Sequence, residues 1–251
     1  MTTEFITKEL RKEFGVQGMF SREDLFEFYL RFDRELKETT FRWRIFDLKE
    51  KKVITPLSKE LFSLTYKPVF KPKTETRDSR ISTKLSKGFP ILKQCIWSTR
   101  VLNEFMLHQP GKFITILEVE KDALEPVFHY LQDINTPDVY LSPTEKELER
   151  YVYEADSALV LQSLVSKAPI KTLKNQTVPT IEKILVDIFA DKKLFSTFQG
   201  NELANIINNA YDRYQIDFTR LFSYARRRKK ENDLIKYLSQ QTGIPQTILN
   251  D

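Results

Sequence analysis

Two glutamates near the middle of the chain have the types and spacing that could support catalysis. Glu118 and Glu120 lie at the end of the run Lys112–Val119, which is predicted as a strand, and residues two apart in a strand share a face. They lie at the carboxyl end of that strand, where α/β sheets place ligands, and paired carboxylates can hold Mg²⁺. A nuclease of the restriction-enzyme class needs a lysine where Glu120 stands, and Lys121 falls on the wrong face. We therefore expect solvated carboxylates, with no catalytic or metal site.

The sequence lacks the other common catalytic signatures. It has no glycine-rich phosphate loop, no G-x-S-x-G turn and no Asp-x-Asp signature of a nucleotidyltransferase. Cys95 is the single cysteine, so the chain cannot form an internal disulfide, and with His108 and His129 it cannot complete a zinc site. The sequence predicts a cytoplasmic protein that is not an enzyme and needs no cofactor.

A helix predicted to begin near residues 37–40 carries side chains suited to reading DNA. Phe41, Ile45 and Leu48 repeat at helical spacing and are predicted to form its core stripe. Thr and Arg side chains offer hydrogen bonds to base edges, and Trp offers an apolar contact to thymine methyl groups. On a helical wheel these types occupy the other faces, at Thr39, Thr40, Arg42, Trp43 and Arg44, beside Asp47.

The elements around this helix have the order of a winged helix-turn-helix. A first helix is predicted over residues 3–14, and Ser21 with Asp24 forms a capping-box pattern that begins a second. After the third helix, the short runs Val53–Thr55 and Leu61–Tyr66 predict a β-hairpin, the wing. In such a domain the third helix enters the major groove and the wing contacts phosphates. Four lysines cluster around the predicted hairpin: Lys51, Lys52, Lys59 and Lys67, of which Lys52 and Lys59 are the predicted wing contacts.

Composition divides the rest of the chain. From Lys71 to Arg80 there is no large apolar residue, and Gly88 and Pro90 close the stretch, which predicts a linker. Strand-like and helix-like segments then alternate, and the end of the chain is helical in pattern. We predict an α+β protein with a winged helix at 1–70, a linker at 71–90, an α/β domain at 91–177 and a helical C-terminal subdomain at 178–251.

Charge is unevenly distributed. The net charge is +5, yet residues 1–88 hold 20 Lys and Arg against 14 acidic residues, and the remainder is close to neutral. A basic end is the pattern of a nucleic-acid-binding region. No stretch approaches the length of an apolar membrane span, so we expect no membrane association.

A second basic feature is the run Arg226, Arg227 and Arg228, followed by two lysines. It ends a predicted helix, where cations stabilise the helix dipole. Five consecutive cations exceed what capping requires, so a docking patch for an acidic partner or nucleic acid is an equal alternative.

The stretch Phe41–Leu48 resembles the winged helix of AbiEi-type proteins, the antitoxin and regulator half of bacterial AbiE toxin–antitoxin systems of type IV. Four further stretches are similar to the C-terminal region of that family: Ile96–Thr99, Phe113–Glu120, Val178–Asp187 and Tyr224–Arg227. The resemblance implies a repressor that binds repeats in its own promoter and counteracts a nucleotidyltransferase-type toxin in phage defence. It implies no enzymatic activity, and it places DNA contacts on Thr39, Thr40, Arg42, Trp43, Arg44, Lys52 and Lys59.

Two alternatives stay open at this point. One is a divergent Mg²⁺-dependent nuclease that uses Glu118 and Glu120. The other is a winged helix that contacts only proteins and binds no DNA.

Overall fold

The computed structural model describes residues 3–16 and 18–250 and has an α+β architecture, as predicted. About 51 % of the chain is helical, and the strands form small sheets. The helices are α1 Thr3–Phe14, α2 Arg22–Leu30, α3 Glu38–Glu50, α4 Thr76–Gly88, α5 Leu124–Asp133, α6 Glu145–Glu147, α7 Ile181–Ala190, α8 Asn201–Arg213, α9 Phe218–Arg227, α10 Glu231–Gln241 and α11 Gln246–Leu249. Short 3-10 helices cover Thr99–Phe105, Lys121–Ala123 and Ser196–Phe198, and a π-helical turn over Leu148–Val152 continues α6.

The strands form three sheets within the described residues. They are β1 Met19–Ser21, β2 Thr55–Pro56, β3 Leu61–Ser63, β4 Gln94–Ser98, β5 Thr115–Val119, β6 Val139–Leu141, β7 Leu159–Ser163, β8 Ile170–Leu173 and β9 Gln176–Pro179. The first sheet is antiparallel with the order β1-β3-β2. The second is mixed with the order β4-β5-β7-β6, in which β4 is antiparallel to β5 and the other neighbours are parallel. The hairpin β8-β9 forms the third.

The N-terminal unit, residues 3–64, has a core of its own. The predicted capping box is confirmed, because Ser21 and Asp24 each accept a hydrogen bond from the backbone N–H of the other at the start of α2. The predicted stripe of α3 is also confirmed, since Phe41, Ile45 and Leu48 are all buried. Aromatic rings fill much of this core. Strand β1 was not predicted, because three residues are too few to show a strand pattern.

Helix α4 occupies most of the segment that the sequence predicted as a linker. Ile81 and Leu85 lie four residues apart, so they share one face, and both are buried beneath the central sheet. Most of the polar residues of the segment lie on the outer faces of this helix, although Asp78 and Ser82 are buried with Ile81 and Leu85. The linker predicted at 71–90 is therefore corrected, because residues 76–88 form a helix that packs on the sheet.

The central sheet carries apolar side chains on both faces. One face, which includes Ile96 and Leu117, packs against α4 and α5. The other face, which includes Trp97 and Ile116, packs against α7 and the helices that follow it. Helix α7 is buried along nearly its whole length, from Ile181 to Phe189. Any charged residue on α7 must therefore find its partner inside the protein.

The helical C-terminal region begins at α7, close to the predicted boundary. The hairpin β8-β9 precedes it and was not predicted. Within the described residues, no helix has both the length and the apolar character to cross a membrane.

Candidate nucleic-acid interface

Helix α3 turns four neighbouring side chains to solvent on the side opposite its buried stripe. Trp43 is 71 % exposed and Phe46 is 53 % exposed, and their rings pack edge to face with centroids 5.6 Å apart. Exposed aromatic side chains of this size are uncommon on a surface that binds nothing. We call this surface the outer face of α3 and define it by Thr39, Arg42, Trp43 and Phe46.

Arg42 lies on the outer face and keeps most of its side chain in water. Its Nε donates to Glu38 Oε1 at 3.0 Å, one helical turn earlier, and Arg22 contacts the same carboxylate. The hydrogen bonds from Arg42 and Arg22 hold the pKa of Glu38 below its ordinary value. Such an exposed pair is worth little in stability, so Arg42 can exchange Glu38 for another acceptor at small cost.

Arg44 does not lie on the outer face, contrary to its predicted place in a DNA-binding surface. Its Nη2 donates to Asp33 Oδ2 at 2.8 Å, and its guanidinium lies 4.9 Å from the centroid of the Tyr29 ring. Arg44 therefore attaches α3 to α2 and to the connection between them. Phe46, which was not predicted as a contact residue, lies on the outer face, whereas Arg44, which was predicted, does not. Phe46 follows Trp43 by three residues, and this helical spacing was the available signal.

Thr40 borders a shallow groove between α1 and α3, which Trp43 and Asp47 also line. Thr39 and Thr40 are both exposed near the start of α3. In helix-turn-helix proteins the first residues of the recognition helix contact the bases. Both threonines are therefore accessible to a ligand, and their contact with bases stays a prediction.

The turn of the β2-β3 hairpin lies against the C-terminal helices. The N–H of Phe218 at the start of α9 donates to the carbonyl of Leu57 at 2.8 Å, and the N–H of Lys59 donates to Thr219 Oγ1 at 3.1 Å. Leu57 is buried in the core that contains α7 and α9. The hairpin is thus held by both the N-terminal unit and the C-terminal helices.

Two of the hairpin lysines differ in how available they are. The ammonium group of Lys52 lies 5.1 Å from the centroid of the exposed Tyr66 ring. Lys67 donates from Nζ to the carbonyl of Tyr211 at 2.5 Å, and burial lowers its pKa. Lys52 is therefore open to solvent, whereas Lys67 is part of the packing between the hairpin and α8.

The arginines of the predicted C-terminal patch point to three different places. Arg226 pairs with Glu231 through two contacts of 2.6 Å, and Arg227 donates to Ser166 Oγ at 3.2 Å. Arg228 is turned inward, with its guanidinium 3.7 Å from Asp187 Oδ1. The single patch predicted from Arg226, Arg227 and Arg228 is therefore not formed, although Arg226 and Arg227 remain exposed.

Glu118 and Glu120 do not form a carboxylate pair. Strand β5 ends at Val119, so Glu120 leaves the sheet and lies in solvent, 3.5 Å from Lys93. Glu118 is completely buried on the face that packs against α7. Within residues 3–16 and 18–250, no three His, Cys, Asp or Glu side chains converge in a way that could hold a metal ion. The arrangement that the nuclease alternative requires is not assembled.

Glu118 instead belongs to a buried charge cluster, which consists of Glu118, Lys183, Asp187, Tyr224 and Arg228. Lys183 Nζ lies 2.5 Å from Glu118 Oε2 and 2.5 Å from Asp187 Oδ2, and the Tyr224 hydroxyl donates to Asp187 Oδ1 at 2.8 Å. Burial raises the pKa of Glu118, and Lys183 opposes that shift. Burial alone would lower the pKa of Lys183, but Asp187 and Glu118 together hold it above its ordinary value.

This cluster was not predicted from the sequence, although one signal was present. Lys183 and Asp187 lie four residues apart in the mainly apolar run Ile181–Phe189, which also holds Glu182, and charges in such a run require partners. The cluster joins α7, α9 and the sheet. Glu118, Lys183, Asp187 and Tyr224 are buried, whereas Arg228 keeps part of its side chain in solvent.

A comparison with protein-family models matches residues 40–244 to DUF6577, a family of unknown function. The chain belongs to this family. A comparison with curated proteins finds no match for this chain.

The DUF6577 match begins inside α3 and ends at residue 244, three residues after α10. It therefore includes most of the outer face of α3, the hairpin, α4, the central sheet and the buried charge cluster. Helices α1 and α2 and strand β1 precede it. The DUF6577 region thus contains the surfaces that contact the hairpin turn as well as the hairpin itself.

Proposed function

We propose that this protein binds double-stranded DNA through its N-terminal unit, which acts as a winged helix, and represses transcription from its own promoter. The order of elements supports the proposal, because three helices are followed by a hairpin that pairs with β1 in the sheet order β1-β3-β2. The observation that carries it is the outer face of α3, which combines hydroxyl, guanidinium and aromatic groups in one exposed surface.

Each group on the outer face has a suitable partner in the major groove. Arg42 can bind the O6 and N7 acceptors of a guanine, and Thr39 can donate to a base edge or a phosphate. Trp43 and Phe46 offer apolar contacts of the kind that thymine methyl groups accept. Lys52 and Lys59 are the proposed phosphate contacts, and both side chains are exposed.

Charge supports the same proposal. Residues 51–59 hold three lysines and no acidic residue, so positive charge is concentrated just after α3. Neutralising phosphates releases counterions from DNA, which makes binding dependent on salt. Lys52 and Lys59 each belong to this segment.

The resemblance to AbiEi-type proteins extends the proposal to antitoxin activity in the bacterial cytoplasm. In that reading, the region after the N-terminal unit counteracts a nucleotidyltransferase-type toxin in phage defence, and Arg226 and Arg227 are the exposed cations available for contact. The protein would then join regulation and toxin neutralisation in one chain, without catalysis or a cofactor.

The test is fluorescence anisotropy of the full-length protein on the DNA upstream of its own gene, with a scrambled duplex as competitor at one fixed salt concentration. We expect preference for the promoter, and Arg42→Ala should cost about 1–3 kcal/mol on the promoter alone. Arg11→Ala is the matched control, because this exposed arginine on α1 has the same charge and lies outside the outer face. Equal weakening by both variants on both duplexes would contradict base reading by Arg42.

Lys52→Ala and Lys59→Ala test the phosphate contacts separately. Each should weaken binding to both duplexes alike and reduce the slope of log affinity against log salt by about one. An unchanged slope for Lys59→Ala alone would mean that the hairpin turn, held against α9, does not reach the backbone.

A second candidate function is a protein-interaction module, which two observations favour. Trp43 and Phe46 form an exposed aromatic pair, a type of surface enriched in protein interfaces. The hairpin turn is also occupied by contacts with α9. If promoter and scrambled DNA bind equally and weakly in the anisotropy assay, this second function replaces the first.

A further inference from the structure

Helix α4 carries a stripe of cations along one exposed side. Its members follow one another at spacings of three, four and three residues, which places them in a single row on a helix. The opposite side of α4 is buried and includes Ile81 and Leu85. The stripe consists of Arg77, Arg80, Lys84 and Lys87.

A groove runs beside this stripe, between α4 and the segment 134–137 that follows α5. Its volume is about 550 Å³. Arg77, Arg80 and Lys84 line one side, whereas Lys87 lies beyond the lining. Apolar contact is provided by Ile134 and Pro137 on the other side. The groove thus joins a row of cations to an apolar wall.

Within the described residues, no carboxylate forms an ion pair with the cations of the groove, although the charge of Arg77 interacts with that of Asp78 on the buried side of α4. Arg77 donates to the carbonyls of Ser157, at 2.6 Å, and Pro137, at 3.3 Å, so it is held in place while its charge remains. Arg80 and Lys84 are exposed, and neither forms an ion pair within the described residues. No acidic residue is part of the lining. A concave surface with one sign of charge concentrates ions of the opposite sign.

We propose that this groove binds a phosphate ester whose organic part packs on Ile134 and Pro137. A phosphate fits the cations, because guanidinium and ammonium groups form strong, charge-assisted hydrogen bonds with it. The volume is in the range of sites that hold a ligand of nucleotide size. A free mononucleotide and one nucleotide of a single strand both offer a phosphate joined to an organic group. The groove is separate from α3, so this site is independent of the proposed promoter binding.

The experiment is isothermal titration of the full-length protein with AMP, with adenosine as the ligand that lacks the phosphate. We expect saturable binding of AMP, and binding of adenosine that is weaker by at least about tenfold. The double variant Arg80→Ala with Lys84→Ala should also lose at least about tenfold in AMP affinity. Lys87→Ala is the matched control, because it removes a cation from the same stripe but outside the lining, and it should leave AMP affinity unchanged.

A second titration with oligothymidylate distinguishes the two sources of the phosphate. If the strand binds more tightly than AMP and is weakened by Lys87→Ala as well as by the double variant, the natural ligand is a strand lying along α4. If AMP binds at least as tightly as the strand, and Lys87→Ala changes the affinity for neither, the natural ligand is a mononucleotide. Both results support the site. Failure of AMP and the oligonucleotide to bind, equal affinity for adenosine and AMP, or unchanged affinity in the double variant would each overturn it.

Discussion

Replacing Lys183 by methionine removes the cation that lies between two buried carboxylates. Methionine has a similar length and no charge, so the main change is electrostatic. Glu118 and Asp187 then lose their contacts of 2.5 Å with Lys183. Asp187 keeps the Tyr224 hydroxyl and the more distant Arg228, whereas Glu118 loses its charged partner.

The expected loss of stability is large because Glu118 and Lys183 are both fully buried. Removing one partner of a buried ion pair typically costs about 3–5 kcal/mol, since it leaves a charge without compensation. For a chain of this size, that loss corresponds to a melting temperature lower by about 6–20 °C.

The assay is urea unfolding, followed by tryptophan fluorescence, of the wild type, Lys183→Met, Glu118→Gln and the double variant. Because Glu118→Gln removes the charge that Lys183→Met leaves unpaired, the double variant should be more stable than Lys183→Met alone. The two substitutions should couple by about 0.5–3 kcal/mol.

The pH dependence of the stability loss provides a second, independent test. Burial already raises the pKa of Glu118, and loss of Lys183 raises it further. Lys183→Met therefore lowers the free energy of unfolding least when Glu118 is protonated. The difference in unfolding free energy between the wild type and Lys183→Met should therefore be smaller at pH 5 than at pH 8. A loss below about 1 kcal/mol at both pH values, or additive effects of the two substitutions, would refute the argument from buried charge.

Three other predictions concern the rest of the molecule. Burial, and then Glu75, raises the pKa of Asp78 from 3.8 to about 6, so the wild type gains stability as the pH falls through this interval. Asp78→Asn should remove that gain. It should also stabilise the chain at pH 8 by up to about 3 kcal/mol, which urea unfolding measures. Leu57→Ala should cost about 2–5 kcal/mol, because Leu57 is only 4 % exposed, and a change below about 1 kcal/mol would mean that the hairpin turn is not docked. Trp43→Ser should leave the melting temperature unchanged but weaken promoter binding, and a marked loss of stability would place Trp43 in the core.

Local patterns in the sequence predicted local structure well. The capping box of Ser21 and the buried stripe of α3 each depend on residues within one or two turns, and both are confirmed. Helix α4 was missed because only two of its four buried residues, Ile81 and Leu85, are apolar, in a segment otherwise rich in charge. Strand β1 was missed because its pairing partner, β3, lies about forty residues later.

The burial and the partners of individual charged residues could not be predicted, because they depend on segments that are distant in the sequence. Arg42 and Arg44 flank the same helix face in sequence, yet Asp33 and Tyr29 draw Arg44 inward. Glu118 was expected to be solvated, but it is fully buried, and its partner Lys183 lies 65 residues away. The periodicity of a strand indicates which face a side chain takes, whereas the charge that meets it there depends on the tertiary fold.

The contact between the hairpin turn and α9 has a consequence for how the protein is made. Lys59 meets Thr219 across 160 residues of chain. At a synthesis rate of about 5–20 residues per second, the ribosome needs about 8–30 s to supply that partner. The N-terminal unit can close its own core during this interval, while Leu57 stays in water and is available to chaperones or to other nascent chains. The hairpin turn reaches its final surroundings only after α9 has been synthesised.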